Sequence, residues 1–261
     1  MTFINSVMQK LDDWSKQHNI EMDEDCYVRE LKSNLFQQLK EETRDEFIEA
    51  DGNELSGKML ALHSSSALAI NFFEPMRTAP SNTAKLFGSN SHMDSFKFES
   101  KHRVITTAAN LDFEFYGKHY SIAVEAKFLE PYRKRPSFIF SPAYFSSKNS
   151  GIWDNLRICR NLAESNPGYQ YLDAAQLVKH IVGLSRTYGT QKKFTLVYLW
   201  YGEKDFSECR THQNEIEDFT EKINPEISFC AYTYQDMFKK IQETNICTPK
   251  HVRYLGERYF Q

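Results

Sequence analysis

An α/β fold with a mixed central sheet is predicted by three features of the 261-residue sequence. Runs 95–105, 110–116 and 119–128 alternate apolar and polar residues like consecutive strands. A clear helix at 173–186 follows, and then FTLVYLWY (194–201), an unbroken apolar run of the kind a central strand shows. A meander, a crossover helix and a further strand together make a sheet with both pairing senses.

The elements follow in order. Residues 3–18 and 24–49 read as charged amphipathic helices, the second with Leu31, Leu35 and Leu39 at a spacing of four. The stretch 54–73 (ELSGKMLALHSSSALAINFF) is the most apolar helical candidate, interrupted at Ser64-Ser65-Ser66 and stopped near Pro75. Residues 76–93 read as a loop, and 130–170 as a polar and aromatic insertion. Asp173 and Gln176 stand at N-cap and N3 spacing, Leu172 and Leu177 form a staple, and Leu177, Ile181 and Leu184 make a buried stripe. A helix at 211–223, a short strand at 227–232, a helix at 235–244 and a basic helical tail complete the chain. The expected organisation is an N-terminal helical extension (1–45), a core (46–245) and a C-terminal basic tail (246–261).

Composition narrows the function classes. With 41% hydrophobic and 14% aromatic residues the chain can bury a sizeable core. A net charge of −3 exerts no general pull on nucleic acid, although a local basic groove is compatible with it. No run reaches the roughly 18–20 apolar residues that span a bilayer, so no membrane association is expected. The start, MTFINSVMQKLDDW, lacks the apolar core of a signal peptide. Cys26, Cys159, Cys209, Cys230 and Cys247 show no zinc spacing and read as reduced thiols of a cytoplasmic protein.

The chemistry concentrates in LDFEFYGKHYSIAVEAKF (111–128). A two-residue turn at Gly117-Lys118 sets Phe113 opposite Ile122 and Asp112 opposite Ala123. Asp112 and Glu125 then lie diagonally on one face, about 7–8 Å apart at the backbone, with Lys127 pointing the same way. Two carboxylates and an ammonium on one face suit a divalent cation acting on a phosphodiester. Glu-x-Lys also occurs at Glu30-Leu31-Lys32 and Glu99-Ser100-Lys101, but only the third copy is embedded in an apolar strand, where charge is costly unless paired or functional. The competing reading is a solvated strand face carrying an ion pair.

With the element order helix, three-strand meander, helix, strand, the phrases LHSSSALAINFF, ANLDFEF, VEAKFLEPY, YLDAAQLVKHIVGL and LVYLWY resemble the PD-(D/E)XK nuclease superfamily, in its restriction-endonuclease-like branch. The resemblance covers about residues 46–245 and has Leu111 where the motif's name has Pro. It implies a restriction-endonuclease-like core. It also implies Mg2+-dependent hydrolysis of DNA, with duplex DNA as substrate in restriction or defence; double-strand cutting favours a homodimer. The alternative is a catalytically weak nucleic-acid-binding module on the same fold. By this resemblance Asp112 and Glu125 are metal ligands, the carbonyl of Ala126 is a third, and Lys127 is the catalytic ammonium. A further acid comes from Glu54 in the first choice, or from Glu99, with Glu49 and Asp51 behind them. Gln176 matches a polar site position, though a capping box with Asp173 explains it as well. Arg133, Lys134 and Arg135 suit phosphate contacts or a solvated loop, and the aromatics Tyr132 to Trp153 base stacking or packing. Lys179 and His180 share a helical face with Gln176, His180 as an exposed or phosphate-facing residue.

Overall fold

The three strand runs pair in sequence, as β1 (Ser95–Arg103), β2 (Ala108–Tyr116) and β3 (Ser121–Lys127), each antiparallel to the one before. β4 (Phe194–Trp200) runs parallel beside β3, and β5 (Phe229–Thr233) parallel beside β4. This computed structural model describes the whole chain except residues 51, 52, 106, 107, 134, 135, 190–192 and 261. Among the described residues the sheet has five strands in the order β1-β2-β3-β4-β5, antiparallel at one end and parallel at the other. All residues of β4 are buried, as its unbroken apolar run requires.

The helices in chain order are α1 (Phe3–Gln17), α2 (Glu41–Glu49), α3 (Ser65–Phe73), α4 (Pro80–Ala84), the one-turn α5 (Glu130–Arg133), α6 (Arg157–Ser165), α7 (Ala174–Tyr188), α8 (Ser207–Ile223), α9 (Tyr234–Glu243) and α10 (Pro249–Leu255). A π-helical turn, Gly256–Phe260, ends the described chain. One sheet face carries a ring cluster in which Phe113 meets Phe73, Phe87, Phe96 and Phe98. α7 covers part of the other face. Gly183 lets it lie close, since a Cβ there would sit 3.0 Å from the Cβ of His102 on β1. α7 starts where the sequence places it, with the Asp173 side chain accepting from the Gln176 N–H at 2.9 Å.

Four expectations change here. The β2–β3 connection is four residues, because Tyr116 pairs with Ser121. Phe115 therefore faces Ile122 and Phe113 faces Val124, a slip of two positions from the two-residue turn. An even slip leaves every side chain on its expected face. Gly117 is required in this loop: a Cβ there would lie 2.5 Å from the carbonyl oxygen of His92.

The expected helix at 24–49 exists only as α2 and a single 3₁₀ turn, Leu31–Asn34. Leu35 is extended, with φ −118° and ψ 145°. The reason is tertiary: the buried Asn34 amide donates to the carbonyls of Met59 (2.6 Å) and Ala61 (2.9 Å), and such contacts outweigh weak helical propensity. Likewise 54–73 is not one helix. Turns and a 3₁₀ segment occupy 54–60, and α3 begins only after Ser64, whose hydroxyl accepts from the Ala67 N–H. The expected loop at 76–93 contains α4 and a further 3₁₀ turn.

The two ends of the chain pack on each other. Arg258, 1% exposed, donates to the Asn34 carbonyl (2.9 Å) and the Tyr254 hydroxyl (2.6 Å), and its guanidinium lies 4.5 Å from the ring centre of Trp14 in α1. Arg258→Ala leaves buried acceptors without donors, so it should lower the unfolding free energy by roughly 3 kcal/mol in urea denaturation. An unchanged midpoint would mean that the C-terminal segment is not part of the core.

Candidate active site

Asp112, Glu125 and Lys127 line one cleft of about 580 Å³, together with Glu54, Glu99, Glu130, Arg133 and Gln176. Their convergence follows from the hairpin register. Continuing the Phe113–Val124 pairing by one residue brings Asp112 level with Glu125, closer than the diagonal expected from the sequence. At this point backbone pairing gives way to a side chain: Oδ2 of Asp112 accepts the Ala126 N–H at 2.6 Å. The hairpin therefore opens at the site, with Ala126 between the two carboxylates. Lys127 Nζ lies 2.5 Å from Oε1 of Glu125.

Glu125 is 2% exposed, and its second oxygen, Oε2, is 2.9 Å from Nε2 of His180. That approach is off the hydrogen-bond axis, so it is a close polar contact rather than an aligned hydrogen bond. His180 itself is 2% exposed. The expectation of an exposed or phosphate-facing His180 is thus corrected: α7 turns it onto the sheet beside Ile181.

The electrostatics divide the two carboxyls. Burial pushes Glu125 up, but Lys127 and His180 outweigh it and hold the group down at about 2. Asp112 keeps one edge on the cleft, yet enough protein encloses its carboxyl that burial, and then the charge of Glu125, push it well above the usual range. Burial pulls Lys127 down, and Glu125 and Asp112 more than restore it, so it stays an ammonium. The site holds charged Glu125 and Lys127 beside a carboxyl that binds its proton more tightly than an ordinary aspartate.

Glu99 and Glu54 both reach this cleft. Glu99 sits in β1 with φ +51°, a left-handed conformation that costs a non-glycine residue on the order of 1–3 kcal/mol. Here β1 changes faces. Phe98 packs on Phe113, whereas Ser100 bonds to Glu114, on the opposite side of β2. The Glu99–Asp112 pairing drops out of the ladder between Phe98–Phe113 and Ser100–Leu111. Burial, then Glu54 and Glu125, raise Glu99 to about 7. Glu54 lies in a turn and does not open a helix. Its Oε1 is 3.0 Å from Lys58 Nζ, and its Oε2 is 3.4 Å from the Ser66 hydroxyl.

The remaining candidates separate. Gln176 lines the cleft one turn before His180, and its backbone N–H alone serves the Asp173 cap. Arg133 is exposed at the cleft and leans on Met8 of α1, while Lys134, Arg135 and Asp51 lie outside the described residues. Lys179 does not line the cleft; its ammonium stands 5.1 Å from the ring centre of Phe140. Glu114 resembles a solvated neighbour of Asp112 in sequence but is fully buried, accepting from His102, Ser100, Tyr188 and Ser121. His63 and Asn110 also line the cleft and carry no motif signal. Burial, and then Arg133, lower His63 to about 4.

A comparison with family models fits this geometry. The family described as Restriction Endonuclease associating with ARP matches residues 8–260. The chain belongs to this restriction-endonuclease family. Membership gives it a nuclease-like role, and the match runs past both ends of the 46–245 stretch that carried the resemblance. No curated protein and no solved structure gives a significant match. No helix among the described residues is long and apolar enough to cross a membrane.

For a member of this family the donor set is the relevant test. Among the described residues no three His, Cys, Asp or Glu side chains are gathered closely enough to cage an ion by themselves. Two carboxylates, Asp112 and Glu125, with open cleft beside them do suit a small hard cation that keeps several waters. The crowding of Glu99 makes this testable without any ion. Its carboxyl binds a proton more tightly in the folded chain than in the unfolded one. Stability is therefore full below about 4.5, the ordinary glutamate value, and declines as pH rises through about 7. In chelator, Glu99→Gln should raise the melting temperature at pH 8 and make little difference at pH 5. Equal effects at both pH values would show that Glu99 is not crowded by its neighbours.

Proposed function

We propose that this protein is a divalent-cation-dependent nuclease, with magnesium as the metal, that hydrolyses phosphodiester bonds of duplex DNA in a restriction or defence setting. The observation that carries the proposal is the meeting of Asp112, Glu125 and Lys127 where the hairpin opens into the cleft. Family membership supports the nuclease class. The family description also names an association with ARP, and such a partner belongs to the proposal.

In this reading Asp112 and Glu125 hold the metal, with the Ala126 carbonyl as a backbone oxygen beside them. Magnesium bound there supplies charge against the phosphate and acidifies its water. Lys127 is the mobile cation of the site. Its four-carbon stem lets the ammonium leave Glu125 and turn to the attacking water or the phosphate. Glu99 and Glu54 supply further negative charge at the cleft wall, and Gln176 presents an amide to the same space. Arg133 at the cleft, continued by Lys134 and Arg135 in the sequence, suits the DNA backbone, where contacts position rather than specify.

Cleavage time courses on plasmid and linear DNA, with magnesium and with chelator, test the proposal. Asp112→Asn should abolish cutting and keep the fold. Lys127→Ala should slow it by about 10²–10³-fold, the usual cost of one preorganised electrostatic group. Cutting that survives chelation, or Asp112→Asn cutting at the wild-type rate, would refute the assignment. Tight DNA binding without any cleavage would replace it by a binding module on the same fold.

A further inference from the structure

Two buried histidines lie where α7 meets the sheet, His102 on β1 and His180 on α7, and the pairs they form differ in kind. His102 of β1 is fully satisfied under α7: Nδ1 lies 3.0 Å from the Thr187 hydroxyl and Nε2 2.7 Å from Oε2 of Glu114. That His–Glu pair is closed, since Glu114 also accepts from Ser100, Tyr188 and Ser121. His180 of α7 forms an open pair. Its Nε2 contacts Oε2 of Glu125 at 2.9 Å, and its Nδ1 has no hydrogen-bond partner among the described residues. A buried imidazole nitrogen left without a partner lowers stability, so packing alone gives no reason for it.

The two nitrogen groups on Glu125 also differ. Lys127 approaches Oε1 from its own strand on a flexible stem, whereas His180 is fixed on a fifteen-residue helix against the sheet. In the nuclease reading, a Lys127 that turns to the phosphate would free Oε1 and leave Oε2 against the imidazole. Resting on the nuclease reading above, we propose that His180 is a positioning residue: it anchors Oε2 of Glu125 so that Oε1 is presented to the metal ion. Carboxylates that ligate metals are commonly held by such outer contacts, and removing one typically weakens binding 10–100-fold.

The test is calorimetric titration of Mn2+ into the full-length protein, with no DNA present. His180→Leu, similar in bulk but without a donor, should weaken binding about 10–100-fold. His180→Gln, whose amide nitrogen can take the place of Nε2, should bind close to wild type. His180→Asn, too short to reach, should behave like the leucine variant and replaces it if that protein does not fold. In a Glu125→Gln background, His180→Leu should cause no further loss, because the residue acts through the carboxylate it anchors. Wild-type affinity in both His180→Leu and His180→Asn would overturn the inference while leaving the nuclease reading intact. So would an equal loss with and without the Glu125 carboxylate. Absence of Mn2+ binding by the wild type would overturn the metal reading, and the role of His180 with it.

Discussion

A carboxylate buried in the middle of a sheet needs compensating charge, and Glu125 shows how this fold supplies it. The strand IAVEAKF is apolar on both sides of Glu125, so an unpaired carboxylate there would cost several kcal/mol. Lys127 comes from the same strand and His180 from the helix that crosses the sheet. Together they keep Glu125 ionised despite its burial. Burial, and then the charge of Glu125, push the Asp112 carboxyl, level with it on β2, well above the usual range, and Lys127 offsets only part of this.

The backbone around this pair departs from regular sheet in two places. β1 changes faces at Glu99 through a left-handed residue, and the Asp112 carboxylate takes the Ala126 N–H at the end of the β2–β3 ladder. Neither departure helps the sheet pair. Each opens polar groups toward the cleft from strands whose other positions build the phenylalanine core. Strain of this kind persists where surrounding structure over-determines it, here the ring cluster on one face and the Glu114 network on the other.

Much of this was legible in the sequence because it depends on local signals. Strand alternation located β1 to β3, the unbroken apolar run located β4, and Asp173 marked the start of α7. The faces of Asp112, Glu125 and Lys127 also came out correctly, although the register slipped by two, because only an odd slip exchanges faces. What the sequence concealed depends on long-range contacts. Leu31, Leu35 and Leu39 keep helical spacing, but the Asn34 amide reaches carbonyls near residue 60 and holds the chain extended. Glu114 alternates like an exposed residue, and only the arrival of His102 and Tyr188 buries it. The burial of His180 has a local signal, since it stands beside Ile181, within the stripe that packs on the sheet.

In the proposed function Asp112 and Glu125 share one divalent cation. The most direct test of this sharing is a crystal of the protein soaked in Mn2+, with an anomalous difference map calculated from data collected at long wavelength. A peak between the two carboxylates, with Lys127 Nζ moved off Oε1 of Glu125, is the predicted result. Lys127 still bound to Glu125 and no peak in the cleft, at a manganese concentration that supports cleavage, would contradict it.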